Sequence, residues 1–111
     1  MNRGKLAGRL YLSTMGKDSQ EMAEKLGLGL EIAEFCTAVN LERDTALYRD
    51  AVLKKQMRLD RFWFHAPFAE LSPAAVDPRV REVTALRYRQ AIQMATGLGI
   101  HRLVIHSGFI P

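Results

Sequence analysis

FWFHAPF at residues 62–68 and LVIHSGF at residues 103–109 share one pattern, an apolar run followed by histidine, a small residue, a turn-forming residue and phenylalanine. Such runs, broken by Pro or Gly, are typical of a buried strand that leads into a loop. His65 and His106 are therefore expected at the carboxyl ends of two strands, where ligands gather in parallel α/β folds. If the strands are neighbours, about 5 Å apart, both imidazoles can reach one metal ion.

The rest of the sequence alternates between strand-like and helix-like segments. Strands are predicted at residues 9–14, 28–35, 61–65 and 102–106, and helices at residues 20–26, 43–57 and 78–97. Asp18 or Ser19 is a candidate cap for the first helix and Asp77 for the last, and Gly27 ends the first helix. This alternation requires a parallel sheet with right-handed crossovers. The predicted fold class is therefore α/β, with four parallel strands alternating with three helices.

Two glycine-containing turns, KLGLGL at residues 25–30 and ATGLGI at residues 95–100, resemble each other and contain the GxG pattern of dinucleotide sites. A phosphate-binding loop needs its glycines after a strand and before a helix, so that helix N-termini face the anion. Here both pairs of glycines follow a predicted helix and precede a predicted strand. We interpret both turns as helix ends.

The composition indicates one domain, because the chain has 111 residues and 48% of them are apolar. No apolar run approaches the roughly 20 residues of a membrane span, and the N-terminus lacks the apolar core of a signal peptide. The single cysteine, Cys36, fits a reducing compartment. We therefore expect a cytoplasmic protein with no membrane contact. The net charge of +4 comes from basic residues mixed with acidic ones on predicted helices, which favours a solvated surface over nucleic-acid binding.

Alternation along the strands places Trp63 with His65 on one face, and Val104 with His106 on one face, while His101 begins its strand at the far end. Two interpretations fit His65 and His106. They are hydrogen-bonded core histidines, or they bind a divalent metal ion such as Zn, Mn, Mg or Fe. A stable metal site usually needs three or four protein donors, and the sequence offers these two and possible carboxylates.

Glu31 and Glu34 on the second strand are the candidate carboxylates. They are three residues apart, so a regular strand cannot turn both inward, and Glu31 between Leu30 and Ile32 is expected inside. A buried carboxylate is costly unless it is paired or functional. Glu31 therefore either pairs with Arg9 or Arg61 or binds substrate. Glu70 is expected to be solvated and Cys36 to fill space.

These residues carry a family resemblance. Leu30-Glu31-Ile32, His65-Ala66-Pro67-Phe68 and Val104-Ile105-His106-Ser107-Gly108, in that order, resemble the N-terminal half of the sugar phosphate isomerase/epimerase family, the xylose isomerase-like TIM barrels that include endonuclease IV. The resemblance runs from about residue 9 to residue 111. It implies a partial (β/α)8 TIM barrel with a divalent metal site at the carboxyl ends of the strands.

The resemblance also implies roles for the candidate residues. His65 and His106 would be metal ligands, as in the endonuclease IV branch, or would line the substrate pocket with Glu31, as in the isomerases. The expected reaction is proton transfer next to a carbonyl of a sugar or sugar phosphate. Abasic-site DNA cleavage and a non-catalytic half-barrel assembly module are the alternatives. A barrel usually needs about 250 residues, so we expect self-association or a missing C-terminal half.

Overall fold

The computed structural model describes residues 3–108, so Phe109 of the second motif lies outside the described residues. The strands are β1 (Tyr11–Ser13), β2 (Gly29–Ile32), β3 (Phe62–His65) and β4 (Leu103–Val104). The helices are α1 (Arg3–Ala7), α2 (Ser19–Leu26), α3 (Thr45–Gln56) and α4 (Pro78–Gly97), and a 3-10 turn spans Ala38–Leu41. Within residues 3–108 no helix is both long and apolar enough to cross a membrane.

The four strands form one parallel sheet in the order β1-β2-β3-β4, which confirms the predicted alternation of strands and helices. One face of this sheet carries the core. Leu30, Ile32 and Phe64 are fully buried there, together with the helix residues Ala23, Val52, Ala91 and Ala95. Small helix residues opposite large strand residues let the helices lie close to the sheet. The helices therefore cover this face.

The opposite face of the sheet, called the open face below, has half-buried and exposed side chains. The strand register places on it Tyr11, Ser13, Glu31, Trp63, His65 and Val104. The Tyr11 and Trp63 rings meet edge to face at 5.7 Å between centroids, and the Arg102 guanidinium lies 5.8 Å from the Trp63 ring centroid. Trp63 Nε1 is buried without a hydrogen-bond acceptor among residues 3–108. A sheet face that leaves two large aromatic rings partly exposed is usually covered by further structure.

The helix ends follow the predicted signals with two exceptions. Gly27 ends α2 with φ 69°, and the Asp77 side chain accepts the Arg79 N–H at 2.9 Å at the start of α4. Asp18 precedes α2 in a left-handed conformation, φ 62°, and makes no capping bond, so the prediction of a side-chain cap there is wrong. A cap needs extended backbone to aim its oxygen at the helix. In the second glycine turn the left-handed residue is Gly99, φ 72°. The first turn therefore uses the first glycine of its GxG pattern and the second turn uses the second glycine, although the two sequences look alike.

Arg61 joins the amino end of the sheet to the helices beneath it. Its guanidinium donates hydrogen bonds to the carbonyl oxygens of Ala7, Gly8 and Gly27, and it lies 5.6 Å from the Tyr11 ring centroid. These carbonyls lie at the ends of α1 and α2, where a cation is favoured by the helix dipole. Arg61 therefore secures α1, a helix that the sequence patterns did not predict.

Gly29 opens β2 at a point of close contact. A Cβ atom there would overlap the Tyr11 ring and approach the Arg61 carbonyl oxygen to 3.0 Å. We expect Gly29→Ala to lower the free energy of unfolding by about 1–3 kcal/mol, the usual cost of overpacking. Gly97→Ala is the control, because nothing lies within 4 Å of its added Cβ and alanine favours the helix. Urea denaturation of both variants checks this, and equal stability of the two would contradict it.

Candidate functional site

The structure brings His65 and His106 together at the carboxyl end of the sheet. The two Nε2 atoms are 3.1 Å apart and the ring centroids 4.9 Å apart. His65 is the last residue of β3 and pairs with Val104, so His106 lies two residues further along, beyond β4. The histidines are therefore diagonal neighbours and not opposite each other. Their predicted convergence is confirmed, and the predicted strand through residue 106 is too long.

A backbone carbonyl fixes the proton position on His65. Its Nδ1 lies 2.7 Å from the Ala66 carbonyl oxygen, which can only accept, so Nδ1 carries the proton. In the neutral ring Nε2 then holds a free lone pair, directed at His106. His106 donates its Nε2 proton to that lone pair when no metal ion is present. A metal ion would replace this proton, with His106 changing to its other tautomer.

Two aromatic side chains hold the histidine pair in place. Phe68 stacks on the His106 ring, 4.7 Å between centroids and 24° between planes, and meets the His65 ring at 5.2 Å. The Tyr88 hydroxyl, on α4, donates to the His106 carbonyl oxygen at 2.9 Å. Burial raises the pKa of Tyr88, so the phenol keeps the proton that it donates. Sequence reasoning missed Tyr88, because nothing in its helical context marks it as a contact of the second motif.

His101 is exposed and lies two residues before β4, at the opposite end from His106, so the prediction that it begins the strand is wrong by two residues. Its ring makes no contact with the histidine pair among the described residues. His101 therefore serves below as the matched control for changes at His65 and His106.

Glu31 is on the open face, one row deeper than His65. Its register partners are Ser13 on β1 and Trp63 on β3. Within residues 3–108 its carboxylate makes no hydrogen bond or ion pair with Arg9 or Arg61. The expected pairing of Glu31 with one of these arginines is therefore wrong. Arg61 is occupied by backbone carbonyls instead. Glu31 thus offers a free carboxylate to the space over the open face.

Glu34, in contrast to Glu31, is bound to other residues of the protein. Its carboxylate accepts the Thr14 hydroxyl and lies 3.0 Å from Lys55 Nζ on α3, and these two charged side chains are 13% and 19% exposed. Thr14 Oγ1 also accepts the Ala33 N–H at 2.8 Å, which ends β2 before the predicted residue 35. Glu34 therefore ties β1 and β2 to α3.

We predict different outcomes for the two carboxylates. Glu34→Gln should lower the free energy of unfolding by about 1–3 kcal/mol, because it leaves a largely buried Lys55 charge without its partner. Glu31→Gln should leave stability nearly unchanged and alter the binding of a ligand or metal ion. Thermal unfolding and a metal titration of both variants check this. Equal, negligible effects on binding would leave Glu31 as a structural charge only.

A groove of about 790 Å³ lies beside the histidine pair and is lined by residues 68–72 and 105–108. Glu70 lies in it with φ 65°, a left-handed conformation that is uncommon for residues other than glycine. Glu70 is exposed, as predicted, and its carboxylate makes no hydrogen bond or ion pair with the described residues. Strain of this kind costs about 1–3 kcal/mol and clusters at functional sites, but Asp18 and Asp44 share the left-handed conformation outside the groove, so the strain alone does not mark Glu70 as functional.

The described part of the chain contains no cluster of three or more His, Cys, Asp or Glu side chains that could hold a metal ion. Cys36 is buried, and burial raises the pKa of its thiol, which keeps it protonated. The predicted role of Cys36 as a space-filling residue agrees with this environment. His65 and His106 thus supply two nitrogen donors. Any further metal ligand would be a water molecule, a substrate atom or a residue that the described part of the chain does not bring to the site.

Comparison with known proteins gives a likeness of fold and no family. No protein-family model matches the chain. The uncharacterized protein MJ1311 of Methanocaldococcus jannaschii is 45% identical over 47 residues, which are 42% of this chain and 16% of that protein. The TTHB071 protein of Thermus thermophilus, solved after soaking with ZnCl2, aligns with a TM-score of 0.67 at 27% identity, over 91% of this chain and 39% of that one. The chain therefore spans less than half of either relative.

Proposed function

We propose that this chain is part of a (β/α)8 barrel that binds a divalent metal ion and catalyses isomerisation or epimerisation of a sugar or sugar phosphate. The arrangement of the sheet supports the barrel. Four parallel strands follow in sequence order, helices cover one face, and the open face carries Tyr11, Glu31 and Trp63. In a closed barrel this face would be the interior, where such side chains pack in layers. The likeness to TTHB071, of which this chain covers 39%, supports an α/β unit that is part of a longer chain.

The separation of the two imidazole nitrogens is the observation that carries the metal proposal. Two nitrogen ligands about 2.0–2.1 Å from one ion lie about 2.8–3.0 Å apart at octahedral angles and about 3.3–3.4 Å apart at tetrahedral angles. The Nε2 atoms of His65 and His106 are 3.1 Å apart. The Ala66 carbonyl fixes His65 in the tautomer that a metal ligand needs, a common arrangement around metal sites. The soaking of the TTHB071 protein with ZnCl2 supports zinc only weakly.

The residues on the open face have distinct parts in this proposal. A divalent ion, when bound, polarises a carbonyl and acidifies the adjacent C–H, which makes proton transfer next to the carbonyl feasible. His65 and His106 would hold the ion, and Phe68 and Tyr88 keep His106 in position. Glu31 would line a substrate pocket over the open face and accept hydrogen bonds from substrate hydroxyls. The chain offers no residue that we assign as the base.

Metal analysis combined with a spectroscopic titration tests the proposal. The purified chain is stripped with EDTA and titrated with Co²⁺, whose visible absorption reports on histidine coordination. We expect about one equivalent to bind, with zinc competing for the same site. Aldose–ketose interconversion is then assayed with and without metal. Absence of metal binding, with both histidines titrating normally by NMR, would support a non-catalytic assembly module instead.

Cleavage of abasic DNA is the alternative within the same fold. It requires basic side chains in the loops to bind the phosphates. In the described residues the groove beside the histidine pair has no Lys or Arg in its lining, and Glu70 adds negative charge. The geometry therefore favours a small-molecule substrate over nucleic acid.

A further inference from the structure

The groove beside the histidine pair has both apolar and polar walls. Phe68, Leu71 and Ile105 supply apolar walls, whereas Glu70, Ser72 and Ser107 supply polar groups. Among the described residues no cationic Lys or Arg side chain lines it. An apolar wall facing hydroxyls and one carboxylate fits a neutral ligand that has a C–H face and several hydroxyl groups.

Glu70 is the group in this groove whose position needs an explanation. Its backbone is left-handed, a conformation that glycine adopts without strain, yet a charged residue stands there. Its carboxylate has no hydrogen-bond or ion-pair partner among residues 3–108. Glu70 is also outside any three-donor metal cluster with the histidines. Its carboxylate is therefore free to contact a ligand in the groove.

We propose that Glu70 determines the ligand specificity of the groove, accepting hydrogen bonds from a neutral polyhydroxylated ligand and repelling phosphate-bearing ones. The inference rests on the proposed function for the site itself, and it selects the neutral substrate class that the proposed function leaves open. The two carboxylate oxygens can accept bonds from two adjacent hydroxyls. The C–H face of the ligand would lie on the partly exposed Phe68 ring.

Charge determines the selection. A phosphate brought into the groove meets the Glu70 carboxylate, and among residues 3–108 the lining offers the His106 imidazole but no Lys or Arg to neutralise it, so Coulomb repulsion weakens its binding. This repulsion is not strongly screened, because groups in the same groove lie closer together than the Debye length of about 8 Å at physiological salt. A bound divalent ion would itself attract phosphate. The test therefore uses protein without metal, which separates this inference from the metal proposal.

The test is an NMR titration of the metal-stripped chain in EDTA, with D-glucose, D-glucose 6-phosphate and inorganic phosphate as probes. Amide shifts of residues 105–108 report occupancy of the groove. We expect D-glucose to bind in the millimolar range and both phosphates to bind more weakly. Glu70→Gln should weaken glucose binding and strengthen phosphate binding, changing their ratio by roughly three- to tenfold. Glu21→Gln, an exposed carboxylate of α2, is the matched control and should change nothing.

Glu70→Gly provides a second measurement. It should raise the melting temperature, because glycine relieves the left-handed strain, and it should lose the selection against phosphate. Phosphate binding by the original chain as tight as glucose binding would overturn the inference, as would an unchanged ratio in Glu70→Gln or no glucose binding at all. Co²⁺ binding at the histidine pair, measured separately, would still support the metal proposal in each of these cases.

Discussion

Replacing His65 by alanine should weaken Co²⁺ and Zn²⁺ binding by more than about 100-fold, because it removes one of the two nitrogen donors that the described residues bring together. His106→Ala should have a similar effect. With one imidazole left, residues 3–108 offer no second histidine nitrogen at the site. Absorption of the Co²⁺ complex and competition with a zinc-sensitive dye measure both affinities.

The control for this experiment is His101, which lies two residues before β4. His101→Ala removes this exposed histidine and should leave metal affinity unchanged. The double variant of His65 and His106 should lose little more than either single variant, because the two side chains act as one site. Wild-type affinity in either single variant would eliminate the shared metal site, and equal losses in His101→Ala would indicate adventitious surface binding.

The positions of the two histidines could be predicted because local rules agree there. Apolar runs bounded by Pro67 and Gly108 predict strands, and the period of two predicts which face each histidine occupies. The diagonal offset between His65 and His106 could not be predicted in this way. Register depends on the pairing of Phe64 with Leu103, a contact between residues far apart in sequence.

Contacts between distant segments explain the other features that the sequence did not reveal. Arg61 contacts carbonyls of residues 7, 8 and 27, and Tyr88 contacts the carbonyl of His106. Backbone carbonyls occur at every residue, so no spacing identifies them as partners. Strand alternation predicts that Glu31 and Glu34 differ in direction, but it does not identify ionic partners, and the predicted pairing of Glu31 with Arg9 or Arg61 is wrong. Glu34's partner Lys55, on α3, was not foreseen.

The edges of the sheet lead to the last prediction. The carbonyls of Arg102 and Val104 accept hydrogen bonds from β3, so the alternate residues, Leu103 and Ile105, turn their backbone groups outward. Within residues 3–108 no strand pairs with that edge of β4 or with the outer edge of β1. Unpaired edges of this kind promote association, and barrels remove them by closure.

We therefore expect the chain to self-associate at micromolar concentration or to require a complementary half-barrel. Two copies related by a two-fold axis along the strands can pair β4 of each with β1 of the other, since all the strands then stay parallel. Closure would also bury the open face, including Trp63, whose Nε1 has no acceptor among the described residues. Association should accordingly shift the fluorescence of this tryptophan, the only one in the chain, to shorter wavelength.

Sedimentation at several concentrations, combined with that fluorescence, measures the association. Ile105→Lys places a charge beside the outward edge of β4 and should shift the chain towards monomer, because lysine on an edge strand opposes pairing. Leu47→Lys is the matched control, an exposed apolar residue of α3 that is away from both edges, and should leave association unchanged. A monodisperse monomer with isomerase activity of its own would show that the sheet functions without closure, and the half-barrel proposal would then be wrong.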